Sequence, residues 1–312
     1  MDELSELIAT FKDQIFALPD PLLYPDRFPP ADTPQFLDAI MANVPDVILA
    51  GQQLTYNTRQ IACKLPSIDG SPETSLAVRL IPHDLNNFLS VVRLFAEQVA
   101  ENPFLIENSQ RMEDYLYSTT NMRLTAIAMA YLATPAEQRN AFETEVPLSL
   151  LPRLLKSSIG LGVNTIWELH DGSVTAPTYT SVYQIVKNSK YSFSLKAEPW
   201  GAYGVLLSYA DGGSGLLDEL GQPLPQERVH EIFGNFSSRQ GGGLGLQVVK
   251  ALIHSQGGSI YVQSRTQDGP TVEYHSRPSG ENQPSRGERS LIGTTFTLYQ
   301  PSRELAHQRG GH

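Results

Sequence analysis

The chain has 312 residues, enough for two or three folded units, and carries 33 acidic against 23 basic side chains, a formal net charge of −10. That balance disfavours nonspecific binding to nucleic acid or to an anionic membrane, and the single cysteine, Cys63, excludes an internal disulfide and a cysteine-built metal site. No apolar run approaches the ~20 residues of a membrane helix and no cleavable signal precedes residue 30, so the expectation is a cytoplasmic protein without a membrane span.

Residues 1–70 read as an N-terminal region that is a possible degenerate sensor or linker. Leu4, Leu7, Ile8, Phe11, Ile15 and Phe16 share one side of a short helix over 1–18. Seven prolines from Pro19 to Pro45 then suggest an extended linker. Around them, Phe36 to Ile40 reads as a helix, and Val47–Leu49 with Leu54–Asn57 as a small hairpin, a faint likeness to the start of a PAS sensor domain. From Ser71 the pattern turns helical: Leu85, Phe88, Leu89, Val92, Phe95 and Val99 recur at steps of three and four. Asn102-Pro103 ends that helix, and a second runs from about Glu107 to Ala133. Two such helices, over 71–138, cannot enclose a core, so pairing with a second copy into a four-helix bundle is expected, hence a homodimer.

Between 142 and 301 strands and helices alternate. Leu148–Ser158, Thr180–Lys190 and Leu244–His254 read as helices. Thr165–Leu169, Gly204–Tyr209, Ser259–Gln263 and Thr294–Tyr299 read as strands. The polar stretch 266–290 reads as a disordered insertion, and 302–312 as a tail without structure. The expected fold class is α+β: a mixed N-terminal region, a helical hairpin and an α/β sandwich built on a mixed sheet.

Two glycine-rich segments carry chemistry. Asp211-Gly212-Gly213-Ser214-Gly215 follows a strand, and by itself is a turn as readily as a ligand site. Gly241-Gly242-Gly243-Leu244-Gly245-Leu246 opens a helix, whose free amides and dipole suit an anion.

Together these segments resemble the ATP-binding domain of sensor histidine kinases, in the superfamily that includes gyrase and Hsp90, with its Bergerat-type sandwich. Asp211, Gly213 and Gly215 match an Asp-x-Gly-x-Gly box. Ile232–Phe236 matches a lid segment containing Phe, Gly241 to Leu246 a Gly-x-Gly-Leu-Gly-Leu box, and Gly293–Thr297 the closing Gly-Thr-Thr-Phe-Thr. The resemblance implies an Asp211 carboxylate facing the adenine amino group, triphosphate contacts from Gly241, Gly243, Leu244, Gly245 and Leu246, and Ser237–Gln240 as a short lid. It further implies Mg²⁺ on Asn188, with Gln184 and Lys190 beside the nucleotide. Gln184 stands where the family has Asn or Glu, and Lys190-Tyr191 comes one residue early.

Pro82-His83-Asp84-Leu85-Asn86-Asn87 resembles the phosphoacceptor motif of the same kinases. On a helix His83 and Asn87 lie one turn apart with Asp84 next round. A neutral imidazole nitrogen is a nucleophile, Asp84 can hold or deprotonate the other ring nitrogen, and Asn87 can orient a water for the reverse reaction. Pro82 either starts the helix or kinks it. The resemblance thus implies autophosphorylation of His83 from Mg-ATP, then relay to an aspartate of a response-regulator receiver domain, with phosphatase activity toward it as a further role. Gln184 and the shortened segment after Asn188 favour a different reading, a non-catalytic phosphotransfer or docking adaptor with a degenerate ATP-binding domain.

Overall fold

The computed structural model describes residues 2–28, 33–64, 72–102, 109–135, 138–139, 144–156, 158–159, 162–187, 189–200, 204–233, 244–267, 269–276 and 292–302. They form two compact units, Met1–Val146 and Pro147–His312. The fold is α+β, with helices in the first unit and a mixed six-stranded sheet in the second.

The first unit consists of α1 (Asp2–Ala17), α2 (Pro34–Lys64), α3 (Pro72–Glu101) and α4 (Ser109–Ala133). Neighbours in sequence pack on one another and α1 returns onto α4, which closes a four-helix ring within one chain. This removes the reason for expecting a second copy: α1 and α2 supply the two helices that the α3–α4 hairpin lacks. The expected hairpin over 47–57 is likewise helix. Phe36, Ile40, Val44, Val47 and Leu54 are all buried, spaced by threes, fours and their sum. Pro45 lies on the exposed side of α2, so the helix loses one hydrogen bond without driving a ring into the core. Gly51 is where the helices crowd. A Cβ there would lie 2.5 Å from Leu89 Cδ1 and 3.0 Å from Phe11 Cε2. Tyr115 of α4 stacks on Phe95 of α3 at 4.6 Å between centroids and meets Phe36 of α2 edge-on at 6.3 Å.

The proline-rich stretch after α1 is not a free linker. Leu18, Pro19 and Asp20 are buried, and Asp20 Oδ2 accepts from Arg123 Nη1 of α4 at 2.7 Å with both side chains fully buried. Arg123 Nη2 donates to the carbonyls of Ile15 and Leu18, which end α1. Thr120 Oγ1 and the Leu23 amide donate to Asp20 Oδ1, and the guanidinium lies 5.0 Å from the Phe16 ring centroid and 5.3 Å from that of Tyr24. Burial pushes the Asp20 carboxyl up and the Arg123 guanidinium down, and their mutual attraction opposes both shifts.

In the second unit the strand order is β2 (Thr165–Leu169), β4 (Phe193–Pro199), β5 (Gly204–Asp211), β8 (Gly293–Pro301), β6 (Ser259–Arg265), β7 (Thr271–Ser276). Only β2 and β4 run parallel. Two short strands, β1 (Glu145–Pro147) and β3 (Ser173–Thr175), precede α5 (Leu151–Lys156) and α6 (Ala176–Val186) respectively, and α7 (Leu244–Ser255) packs on α6. Across the sheet Trp167, Phe193, Tyr209 and Phe296 form a ladder of rings with centroids 5.1–6.3 Å apart. The edge strand β7 corrects the expected insertion: residues 271–276 pair with Ile260–Arg265 of β6. The remainder of that stretch, 277–291, lies outside the described residues, as do the tail from 303 and the lid from 234 to 240.

Helix α6 begins earlier than expected. Thr175 Oγ1 accepts from the Thr178 amide and Pro177 occupies the first turn, so the capping signal lies at 175 rather than near 180. It ends at Val186, with Lys187 as its cap, which leaves Lys190 beyond it.

Candidate functional site

The segment Pro82 to Asn87, which resembles a phosphoacceptor motif, lies in the interior of α3, which continues on both sides of Pro82, so the proline does not start the helix. His83 and Asp84 are consecutive and therefore point about 100° apart around the axis. His83 faces solvent, its side chain 76% exposed, while Asp84 is at 1%. Their proximity still gives a hydrogen bond, His83 Nδ1 to Asp84 Oδ1 at 2.8 Å. With an ionised carboxylate as acceptor, Nδ1 carries the proton and the Nε2 lone pair is left outward. Asn87 is exposed one turn on. Asn86 is held from the neighbouring helix, where Thr55 Oγ1 of α2 donates to its Oδ1 at 3.4 Å. The segment thus combines a buried carboxylate with an exposed imidazole edge.

In the second unit Asp211 ends β5. Its Oδ1 accepts from the Gly213 amide at 2.8 Å and from the Thr294 amide of β8 at 3.3 Å. Burial raises the carboxyl above its ordinary value, while those two amides and the Tyr209 hydroxyl hold the charged form against it. Tyr209 Oη is 2.7 Å from Ser189 Oγ, and burial followed by the Asp211 charge pushes the phenol well upward. The box is closely packed. A Cβ at Gly213 would fall 2.7 Å from the Tyr191 ring, and one at Gly215, where φ is +79°, 2.7 Å from the Arg265 carbonyl oxygen. Glycine is required at Gly215, where the obstacle is backbone, whereas a side chain at Gly213 would have to displace the Tyr191 ring.

Gln184 is on the last turn of α6, 3% exposed. It meets the start of α7: a Cβ on Gly245 would be 3.3 Å from Gln184 Oε1. The structure therefore brings together Gln184 with Gly245, and Asp211 with Gly213, Tyr191 and Thr294. Leu246 is half-buried in the first turn of α7 and Lys190 is exposed. Asn188, Gly241 and Gly243 lie outside the described residues, and of Leu244 only its place at the helix start is described. Among the described residues no group of three or more His, Cys, Asp or Glu could hold a metal ion, and no helix is long and apolar enough to cross a membrane.

Sequence reasoning passed over Tyr209 and Ser189. Tyr209 stands two positions before Asp211, hence on the same face of β5, and that period-two spacing was the available signal. Ser189 had none, because its partner is twenty residues away.

Residues 186–304 match the family described as histidine kinase-, DNA gyrase B-, and HSP90-like ATPase. The matched stretch lies within the second unit. No curated protein matches the chain. Solved structures that are similar include a mycobacterial sensor histidine kinase, 16% identical over 51% of this chain and 97% of that one, with a TM-score of 0.36. A histidine kinase domain from a blue-light activated kinase of Erythrobacter litoralis is 11% identical over 77% and 98%, TM-score 0.36. A bacterial phosphotransferase is 10% identical over 74% and 98%, TM-score 0.35.

Proposed function

We propose that the chain is a histidine protein kinase that autophosphorylates His83 from Mg-ATP and passes the phosphoryl group to a response-regulator aspartate. The observation that carries the reading is the pairing of an exposed histidine with a buried Asp84 at 2.8 Å, in a chain whose other unit is an ATP-binding domain. Asp84 keeps the proton on Nδ1, so Nε2 attacks the γ-phosphorus. The Nε2–P bond forms as the bond to the β-phosphate oxygen breaks, and ADP leaves with that electron pair. The ring becomes an imidazolium whose Nδ1–H stays on the carboxylate, then loses that proton to Asp84 or water. In the relay the proton returns to Nδ1, a carboxylate oxygen of the acceptor aspartate bonds to phosphorus as the Nε2–P bond breaks, and neutral imidazole departs with that electron pair. In the reverse direction Asn87, exposed one turn away, would orient water toward a phosphorylated partner.

An adenine nucleotide fits the second unit on its own residues. A half-buried carboxylate at Asp211 suits the adenine amino group, the glycines of the box leave no side chain in the way, and the start of α7 offers free amides to phosphate. Asn188 and the carbonyl oxygen of Gln184 would hold Mg²⁺, which when bound neutralises charge developing on the phosphates. Pairing of two chains, which the family resemblance implies, is not needed to close the helical core. Mixing a His83→Gln chain with an Asp211→Asn chain distinguishes transfer between chains from transfer within one, since only the former restores label.

The test is incubation of the purified chain with γ-labelled ATP and Mg²⁺. Acid-labile, alkali-stable label that disappears in His83→Gln supports the reading, and its absence from the wild type sinks it.

A further inference from the structure

We propose that the outward faces of α2 and α3 beside His83, bearing Tyr56, Leu49, Val91 and Leu94, form the docking surface for the aspartate-bearing phosphoryl acceptor, so that the acceptor is selected in part by a helix outside the phosphoacceptor motif. The inference rests on the proposed phosphorylation of His83 and names where its acceptor binds.

The two helices run antiparallel. Thr55 bonds Asn86 and Gly51 abuts Leu89, which sets Tyr56 near the level of His83 and Leu49 level with Val91. On α3, His83, Asn87, Val91 and Leu94 fall within about 80° of one another round the axis, opposite the buried Leu85, Phe88 and Val92. On α2, Leu49 and Tyr56 stand opposite the buried Val47, Leu54 and Thr58. The four apolar side chains are nonetheless open to solvent: Tyr56 65%, Leu49 55%, Leu94 53% and Val91 37%. Most of the other large exposed apolar residues stand singly, whereas these four share two packed helices. The alternative face is closed, because every residue of α4 from Tyr115 to Leu132 is buried.

Position and charge both select the occupant. A carboxylate that takes phosphoryl from Nε2 must arrive at His83, and a domain carrying it covers the surface around that atom. Leu94 lies eleven residues on, about 16 Å along the helix. A standard interface of about 800 Å² per partner reaches about 16 Å from its centre, so Val91 falls inside the footprint and Leu94 at its rim. An acceptor aspartate with carboxylates for a divalent ion presents an acidic face. In a chain of net charge −10, α2 has no acidic residue between Asp46 and Lys64, and α3 none between Asp84 and Glu97. Exposed Gln52, Gln53, Asn87, Ser90 and Arg93 occupy that window instead. The absence of repulsion there favours an acidic partner over a second copy of this acidic chain.

The experiment loads His83 in two ways, with ATP and with phosphoramidate, which phosphorylates histidine chemically, and so separates failure of the kinase reading from failure of the docking reading. A panel of purified receiver domains serves as probe. Transfer is timed for the full chain and for Leu49→Asp, Leu94→Asp, Gln53→Glu and Gln53→Lys, all exposed positions. The expected result is at least tenfold slower transfer to the best acceptor for both Asp variants, with His83 loading unchanged. Gln53→Glu slows transfer and Gln53→Lys does not, a dependence on charge sign that a purely structural effect would lack. Equal rates across the variants, a fall in molar mass by light scattering in Leu94→Asp that reveals a second copy on this face, or no acceptor for chemically loaded His83 would each overturn it.

Discussion

Replacing Asp84 with Asn tests the chemistry of the phosphoacceptor without changing its size. Wild-type Asp84 Oδ1 receives the Nδ1 proton of His83 at 2.8 Å, a charge-assisted bond worth about 1.5–3 kcal/mol. Asparagine retains an acceptor oxygen but no charge, and its amide can equally present N–H to Nδ1. In that orientation the ring proton moves to Nε2 and the nucleophilic lone pair is lost. The larger effect arises as Nε2 bonds to phosphorus, when the ring becomes cationic beside a dipole instead of an anion. About 2–3 kcal/mol of lost stabilisation corresponds to roughly 30- to 150-fold in rate. Because the His83 ring is exposed, water replaces part of the missing interaction, which places the expected loss at about 30-fold. The assay is the initial rate of His83 labelling at saturating ATP, with nucleotide affinity and far-UV circular dichroism as controls that stay unchanged. A labelling rate for Asp84→Asn within threefold of wild type would refute this role for the carboxylate.

Other expectations concern stability and nucleotide binding. Arg123→Met leaves the Asp20 carboxylate buried with only Thr120 and Leu23 among the donors described above. It should lower the denaturant stability of the helical unit by about 3–5 kcal/mol, whereas Asp20→Leu with Arg123→Met regains most of it; a single-variant loss below about 1 kcal/mol would show that the pair is not needed. Burial raises Asp211, so nucleotide affinity should fall as pH drops through a value above the ordinary 3.8. The Asp211→Asn chain should bind at least tenfold more weakly at neutral pH and lack the wild type's extra pH dependence, both readable by calorimetry. His254, hydrogen-bonded to Ser276 at 3.0 Å, has its pKa lowered by burial from 6.5. Its depressed folded value means that the stability it contributes is present above pH 6.5 and is lost as the pH falls through the folded pKa. Melting temperatures taken from pH 7.5 down to 5.5 should therefore drop more for wild type than for His254→Gln, and equal drops would contradict the assignment.

What could be read from the residues depended on the range of the interactions. The stripe through Leu85, Phe88 and Val92 predicts α3, and its buried face agrees. In the first glycine box Gly215 marks backbone where a Cβ does not fit. Helix α2 was less legible because Pro45 interrupts it and because Leu49 and Tyr56 are apolar on the exposed side, which blurs the helical period into short runs. Asp20 and Arg123 are 103 positions apart, and neither has a local pattern that announces a buried pair. That pair, with α1 and α2, is why the bundle closes inside one chain. In β7 burial alternates, but of the inward Val272, Tyr274 and Ser276 only Val272 is a buried apolar residue, too weak a signal to outweigh the Gly, Pro and Ser around it. In the second unit the Asp-x-Gly-x-Gly box singles out Asp211 in the sequence, whereas the contact of its neighbour Tyr209 with Ser189 exists only once the sheet has formed.

The most direct measurement is phosphorylation of the purified full chain by γ-labelled ATP in Mg²⁺, followed by acid and alkali treatment and compared with His83→Gln. Label that is acid-labile, alkali-stable and absent from His83→Gln is the predicted result. Nucleotide binding without any label on His83 would contradict it.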